Sequence, residues 1–170
     1  MSEHTATIKW ARRDGEAFTD NRYSRAHQWD FDGGVTVPAS SSPHAVRAPL
    51  SNPAAVDPEE AFVASLSSCH MLWFLSLAAK KGFVVESYED RAVGRLEKDE
   101  HGKMAISRVL LSPEIRFGGS TQPTSEELRA LHDAAHHECF IANSVKTTVT
   151  VASRSENQSE TTLSSTHTLS

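Results

Sequence analysis

The sequence predicts one domain of mixed α+β class, in which hairpins of β-strands are combined with two helices. Segments rich in β-formers flank turns such as Asp32-Gly33-Gly34, and two helical segments begin at capping patterns, at Asp57 and at Thr124. The chain has 170 residues, of which 38% are hydrophobic and 23% charged. This length and composition suit one domain with its own core and exclude a chain that is disordered throughout.

The first third of the chain predicts three strands and a long connection. Residues Thr5–Arg12 are rich in β-formers, and Tyr23–Phe31 reads as a second strand. The turn at Asp32-Gly33-Gly34 then reverses the chain into Val35–Val37, so a hairpin is expected. From Pro38 to Val56 prolines and serines recur without periodicity, which is typical of a connection between elements.

A long helix is predicted from Pro58 to Lys81. Asp57 is a good N-cap, Pro58 suits the first helical position, Glu60 completes a capping box, and Gly82 supplies a C-terminal stop. Its apolar residues occupy most of the helix circumference, so we expect the helix to be buried on several sides at the centre of the fold.

The second half predicts a hairpin, a helix and a last strand. Strands are expected at Ser87–Glu97 and Met104–Phe117, and Ser125–Glu138 follows a capping box at Thr124 as an amphipathic helix. A last strand is expected at Val145–Val151. We expect residues 1–154 to form the domain and the Ser/Thr-rich residues 155–170 to be a disordered tail.

The charge balance disfavours polyanionic partners. Lys and Arg number 17 and Asp and Glu 22, a formal net charge of −5, so neither nucleic acid nor an anionic membrane is an expected partner. Met1–His4 lacks the basic and apolar regions of a secretory signal, so we expect a cytoplasmic protein. The apolar stretch Ala61–Ala79 is interrupted by Ser, Cys and His residues, which favours a core helix over a membrane span.

Two cysteines, Cys69 and Cys139, are the candidates for chemistry. Buried free cysteines are often inert, but each of these lies on or at the end of a predicted helix that must meet the same core. If their Cα atoms come within roughly 4.4–6.8 Å, they could form a disulfide, as two-cysteine peroxidase chemistry requires.

A metal site is the weaker alternative. His132 and His136 are one helical turn apart and Cys139 is close by, a spacing that can hold a transition metal. No HExxH or CxxC pattern accompanies them and no Gly-rich phosphate loop is present, so we expect neither a metal nor a cofactor.

Two segments carry a resemblance to a known family. Residues 57–69, Asp-Pro-Glu-Glu-Ala-Phe-Val-Ala-Ser-Leu-Ser-Ser-Cys, and residues 138–144, Glu-Cys-Phe-Ile-Ala-Asn-Ser, resemble the OsmC/Ohr (organic hydroperoxide resistance) family. The order of the predicted elements over residues 5–152 is also similar to that family. The resemblance implies an OsmC-like fold, an interlocked homodimer with curved antiparallel sheets around long central helices.

The resemblance also implies an activity and its residues. It implies a thiol peroxidase that reduces organic hydroperoxides and is recycled by a dithiol reductant such as a lipoyl group. Cys69 would then be the peroxidatic thiol and Cys139 the resolving one. Glu59 matches the family's helix-start glutamate, and an arginine near the first hairpin, either Arg25 or Arg13, would activate the thiolate.

The spacing of Glu59 and Cys69 favours a site shared between two chains. Ten residues of helix separate them by roughly 15 Å along the axis, with faces about 80° apart, so they cannot touch. Either an arginine or substrate bridges them, or Glu59 serves the cysteine of a partner chain in a dimer.

The chain also departs from the family pattern. Phe140 follows Cys139 where many members carry proline, and His70 follows Cys69. The alternative function is therefore a non-catalytic protein of the same fold that binds a small apolar ligand in a cleft near Trp73 and Phe74.

Overall fold

The computed structural model describes residues 1–152. The chain divides into two compact units, Met1–Ala64 and Ser65–Ser170, and the long helix α1 (Pro58–Lys80) runs from the first into the second. The tail expected at residues 155–170 lies outside the described residues.

The first unit contains a three-stranded antiparallel sheet. Its strands are β1 (Ala6–Lys9), β2 (His27–Phe31) and β3 (Thr36–Ala39), in the order β1-β2-β3. The predicted hairpin is confirmed, because β2 and β3 pair across the glycine turn with Trp29 opposite Val37.

Strand β2 begins later than the sequence suggests, at His27 rather than Tyr23. The residues just before β2 make hydrogen bonds with partners that are not in the sheet. Trp10 Nε1 donates to the Ser24 carbonyl (2.8 Å), and the Arg25 amide donates to the Leu50 carbonyl (2.7 Å). Trp10 also packs against Phe18 and Tyr23, which stack at 4.6 Å between ring centroids. This aromatic cluster lies between the end of β1 at Lys9 and the start of β2 at His27.

Helix α1 begins and ends as its capping residues predict. The Asp57 amide donates to Glu60 Oε1 and the Glu60 amide donates to Asp57 Oδ1, both at 2.8 Å. At the other end Gly82 adopts a φ of 80°, a conformation that favours glycine, and the Phe83 amide donates to the Ala78 carbonyl at 3.0 Å.

Within the single chain, α1 is buried on one stripe only, so the expectation of burial on several sides is wrong for this chain alone. The buried residues follow one another at intervals of one turn: Leu66, His70, Phe74 and Ala78. The other side carries Leu72, which is 60% exposed. Phe74 and Ala78 of the buried stripe pack into the hydrophobic core of the second unit.

Among the described residues, α1 is also the one helix long and apolar enough to cross a membrane by length and composition. The core helices of soluble proteins share both properties, so length and composition alone do not indicate a membrane span.

The hairpin predicted after α1 is present but is broken into four strands. They are β4 (Val84–Asp90), β5 (Val93–Lys98), β6 (Met104–Leu111) and β7 (Pro113–Gly118). β4 pairs with β7 in one sheet, and β5 pairs with β6 in another, so both predicted strands change sheet near their middle. The Ser112 amide donates to Asp90 Oδ1 (2.6 Å) at this point, and Pro113 cannot donate to a ladder.

The second unit is completed by α2 (Ser125–Glu138), a 3₁₀ turn (Ala142–Ser144) and β8 (Thr148–Val151). The bounds of α2 agree with the prediction, and its capping box at Thr124 is formed. β8 is shorter than expected and lies parallel to β6. α1 and α2 share a hydrophobic core, whose buried members are Phe74, Ala78, Phe83, Leu131 and Ala135.

Candidate active site

The two cysteines meet where α2 ends beside the middle of α1. Cys69 lies on α1 and is half-buried, whereas Cys139 is the C-cap residue of α2 and is 1% exposed. Both are free thiols, and they lie close enough for Cys69 to raise the pKa of Cys139. The pairing follows from the shared core, in which Leu131 and Ala135 of α2 pack with Phe74 of α1.

The environment of Cys139 keeps its thiol protonated. Burial, together with the neighbouring Cys69 thiol, raises the pKa of Cys139 from 9.0 to about 11. The Ala142 amide donates to Cys139 Sγ (3.4 Å) and opposes this shift without cancelling it. At neutral pH the pair therefore has a buried proton-bearing thiol beside a more accessible one.

A histidine pair, with His70 buried and His132 half-buried, lies next to the cysteines. His70 Nε2 is 3.0 Å from His132 Nδ1, and the two rings are nearly parallel, with an interplanar angle of 9°. Burial lowers the pKa of each ring from 6.5 to about 4. For His70, the neighbouring His132 and His136 add to that effect, whereas Asp133 and Asp90 oppose it for His132. Both rings are neutral at pH 7.

Sequence reasoning missed this pair, although part of the signal was present. His70 falls in the same one-turn row as Leu66, Phe74 and Ala78, which form the buried stripe of α1. A polar residue in such a row needs a hydrogen-bond partner. His132 is that partner, and no local pattern could have shown it because the two residues are distant in sequence.

A second polar contact joins α1 to β4. The Ser67 hydroxyl donates to Asp90 Oδ2, and Asp90 Oδ1 accepts from the Ser112 amide where the strands change sheet. Asp90 therefore links the cysteine-bearing helix to the bend in the hairpin.

An aromatic pair flanks the cysteines. Trp73 follows Cys69 by one helical turn, and Phe140 follows Cys139 directly. The two rings meet edge to face, with centroids 5.5 Å apart, and Phe140 is 68% exposed. This apolar surface adjoins the accessible thiol.

The other predicted site residues are placed as follows. Glu59 lies in the first turn of α1, and its Oε2 is buried with no hydrogen-bond donor among the described residues. Arg25 donates to the Tyr23 carbonyl, to the Asn21 carbonyl (3.1 Å) and to Asn21 Oδ1 (2.8 Å), and it stacks on the Tyr23 ring. Arg13 is exposed. Both arginines belong to the first unit and both cysteines to the second, so activation of Cys69 by an arginine stays a prediction.

The metal alternative has no support in residues 1–152, where no group of three or more His, Cys, Asp or Glu side chains could hold an ion. His136 is exposed, whereas Cys139 is buried.

The apolar cleft expected near Trp73 and Phe74 stays a prediction as far as Trp73 is concerned. Phe74 is fully buried in the core, so it lines no open cleft. An apolar concavity of about 420 Å³ lies further along the chain and is lined by Leu75, Ala79, Gly82, Phe83, Val84 and Val85.

The fold and the site define the class first: an α+β protein with one cysteine on a long helix and a second at the end of a later helix. A structure of an OsmC-like protein of unknown function from Vibrio cholerae is 58% identical, covers 89% of this chain and 99% of its own, and has a TM-score of 0.88. An organic hydroperoxide resistance protein OsmC from Legionella pneumophila matches at 16% identity, 89% and 94% coverage and a TM-score of 0.64. OhrB of Bacillus subtilis, an organic hydroperoxide resistance protein, matches at 21% identity, 88% and 95% coverage and a TM-score of 0.62.

A family model for OsmC-like proteins matches residues 51–154. The chain therefore belongs to the OsmC family, as the sequence motifs predicted. No curated protein sequence matched the chain.

Proposed function

We propose that this protein is a thiol peroxidase that reduces organic hydroperoxides, with Cys69 as the attacking thiol and Cys139 as the resolving thiol. The observation that carries the proposal is that two free thiols lie beside each other, one on α1 and one at the end of α2. Membership of the OsmC family supports it, as do the relatives described as organic hydroperoxide resistance proteins.

The difference between the two cysteines supports these roles. Cys69 is half-buried and can be reached by a substrate, whereas Cys139 is buried and keeps its proton at neutral pH because its pKa is raised. The attacking group must be an accessible thiolate. Cys139 suits the second step, which needs proximity to the oxidised sulfur rather than access to solvent.

In the first step, the Cys69 thiolate attacks the distal oxygen of the hydroperoxide. The sulfur–oxygen bond forms as the oxygen–oxygen bond breaks, and the departing alkoxide takes a proton to become an alcohol. Cys69 is left as a sulfenic acid, with the peroxide reduced by two electrons.

In the second step, Cys139 attacks the Cys69 sulfenic sulfur. A disulfide forms, and the hydroxide that leaves takes the Cys139 proton and becomes water. A dithiol reductant, for which a lipoyl group is our candidate, then exchanges with the disulfide and restores both thiols.

An arginine and Glu59 complete the proposed site. Arg25, or Arg13 in its place, stabilises the Cys69 thiolate, and Glu59 orients the guanidinium. The buried, unpartnered Oε2 of Glu59 supports a missing cationic partner, because a buried carboxylate oxygen is costly to leave without a donor.

A homodimer in the cytoplasm is part of the proposal. The exposed side of α1 carries Ala64, Ser68, Leu72 and Ser76, and no charged residue lies between Glu60 and Lys80. A solvated helix of this length ordinarily has a charged face. A second copy of the chain would cover this side and could bring its own arginine to Glu59.

The proposal is tested by following hydroperoxide consumption with a dithiol reductant in the wild type and two variants. Cys69→Ser should abolish turnover, and Cys139→Ser should allow one turnover before over-oxidation of Cys69. Activity retained in Cys69→Ser would refute the assignment. Saturable quenching of tryptophan fluorescence by an apolar ligand, with no peroxide consumed, would favour the ligand-binding alternative.

A further inference from the structure

The histidine pair joins the two helices that carry the cysteines. His70 is the residue after Cys69 on α1, and His132 lies two helical turns before Cys139 on α2. Their ring nitrogens are 3.0 Å apart. A bond at this place restrains the position of α2, and hence of Cys139, relative to α1.

His70 of the pair is closed to water, and His132 is half-buried beneath an aromatic ring. His70 is 1% exposed, and the Phe74 ring stacks on His132 with centroids 4.6 Å apart. His70 Nδ1 is buried without a partner, which assigns it as the unprotonated nitrogen, because a buried N–H is rarely left unpaired. His70 Nε2–H therefore donates to His132 Nδ1.

We propose that His70 and His132 are positioning residues that hold Cys139 against Cys69 for disulfide closure. The inference rests on the proposed peroxidase function, and it concerns the second step only. Neither ring is placed at the reacting atoms, and both act through the helices that carry the thiols.

Two reactions compete for the oxidised Cys69. The Cys69 sulfenic acid either condenses with Cys139, releasing water, or reacts with a second hydroperoxide, which leaves as an alcohol after giving one oxygen to the sulfur. Only condensation depends on where Cys139 lies. Loss of the histidine bond should therefore slow closure and increase the sulfinic product, while the first attack is unchanged.

The bond also makes closure dependent on pH. When both rings are protonated, Nε2 of His70 and Nδ1 of His132 are both donors and no bond remains. The charged and titratable groups facing the pair are His136 and Asp133 on α2, and Asp90 on β4. Tyr88 of β4 also packs against Phe74. Closure should fall as the pH approaches about 4, the pKa of each ring in the folded chain.

The test separates closure from the peroxide reaction. A chromogenic aromatic disulfide is added to the reduced protein. Cys69 attacks it and releases one aromatic thiolate, and Cys139 then attacks the mixed disulfide, releasing the second as the Cys69–Cys139 disulfide forms. The rate of the second release measures closure without any hydroperoxide.

The variants are His132→Leu, which removes the bond, and His132→Asn, whose amide oxygen can replace Nδ1 as the acceptor. His137→Leu, an exposed histidine on the same helix, is the matched control. In His132→Leu we expect closure to be about tenfold slower with the first release unchanged, and His132→Asn to restore most of the rate. His137→Leu should behave as the wild type.

Wild-type closure in His132→Leu would overturn the inference, as would an equal loss of both releases. The double variant His70→Leu/His132→Leu replaces the pair with apolar groups, so it is the control for misfolding caused by one unpaired histidine. It should fold and still close slowly, whereas closure at the wild-type rate would also refute the positioning role. If the wild type closes in this assay yet consumes no hydroperoxide, the proposed function fails while the positioning inference stands.

Discussion

The Cys139 side chain, buried at the end of α2, lies beside that of Cys69, half-buried in the middle of α1. Burial and this contact raise the pKa of Cys139, so the two thiols are chemically different before any substrate arrives. That difference is the basis on which we assign attack to one and resolution to the other.

Arg25 and Arg13 can be separated by mutation. We expect Arg25→Gln to slow oxidation of Cys69 by an organic hydroperoxide about tenfold, because a nearby cation stabilises the thiolate. Arg13→Gln is the matched control and should leave the rate unchanged. Stopped-flow tryptophan fluorescence measures this step, and the opposite ranking would assign the role to Arg13. Since Arg25 is bound to Asn21 and Tyr23 in the single chain, it must exchange these contacts to act.

Phe140 should determine which hydroperoxides are favoured. Its exposed ring meets Trp73 beside the cysteines, so an aromatic substituent of the substrate gains an apolar contact there. We expect Phe140→Ala to raise the KM for cumene hydroperoxide about tenfold and to leave hydrogen peroxide almost unaffected. Leu96→Ala, which removes an exposed apolar side chain on β5, is the control. An equal change for both peroxides would exclude this role.

The exposed side of α1 should be an interface between two chains. Leu72→Arg places a charge where we expect burial, and such a charge without a partner prevents association. Sedimentation should give a dimer for the wild type and a monomer for Leu72→Arg. Ser120→Arg, in the exposed segment before α2, should stay dimeric. A wild-type monomer with full activity would contradict both the dimer and the shared site.

The histidine pair should make the protein less stable in mild acid. Both histidines have a pKa of about 4 in the folded chain against an ordinary value of 6.5, so the unfolded chain binds protons first as the pH falls. The contribution of the pair to the free energy of unfolding is therefore complete above about pH 6.5 and is lost towards pH 4. We expect urea denaturation to show a loss of about 4 kcal/mol between about pH 7 and about pH 5, about 2 kcal/mol for each histidine. The variant His70→Leu/His132→Leu should lose much less stability over the same pH range. An equal loss in the variant would show that other titratable groups cause the effect.

Elements governed by local chemistry were predictable from the sequence. Asp57 and Thr124 mark the starts of both helices because their capping bonds involve residues only three positions away. Gly82 marks the end of α1 for the same reason. The positions of the two cysteines, one on α1 and one at the end of α2, were also predictable because both helices were expected to meet the same core; their catalytic roles stay a proposal.

Features that depend on distant contacts were not predictable. The long hairpin changes sheet where Asp90 accepts from the Ser112 amide, and no periodicity in either strand signals that bond. The apolar circumference of α1 suggested burial on several sides. A sequence does not show whether the residues that bury a helix belong to the same chain or to a second one. The histidine pair likewise depends on how α1 and α2 pack.

The central claim is tested most directly by the mass of the reduced protein, without added thiol, before and after one equivalent of an organic hydroperoxide. The account predicts the loss of two hydrogen atoms per chain, with Cys69 and Cys139 joined in the peptide map. Cys69→Ser, the control, should keep its mass. An unchanged wild-type mass, with both thiols still open to alkylation, would contradict the account and make these cysteines packing residues.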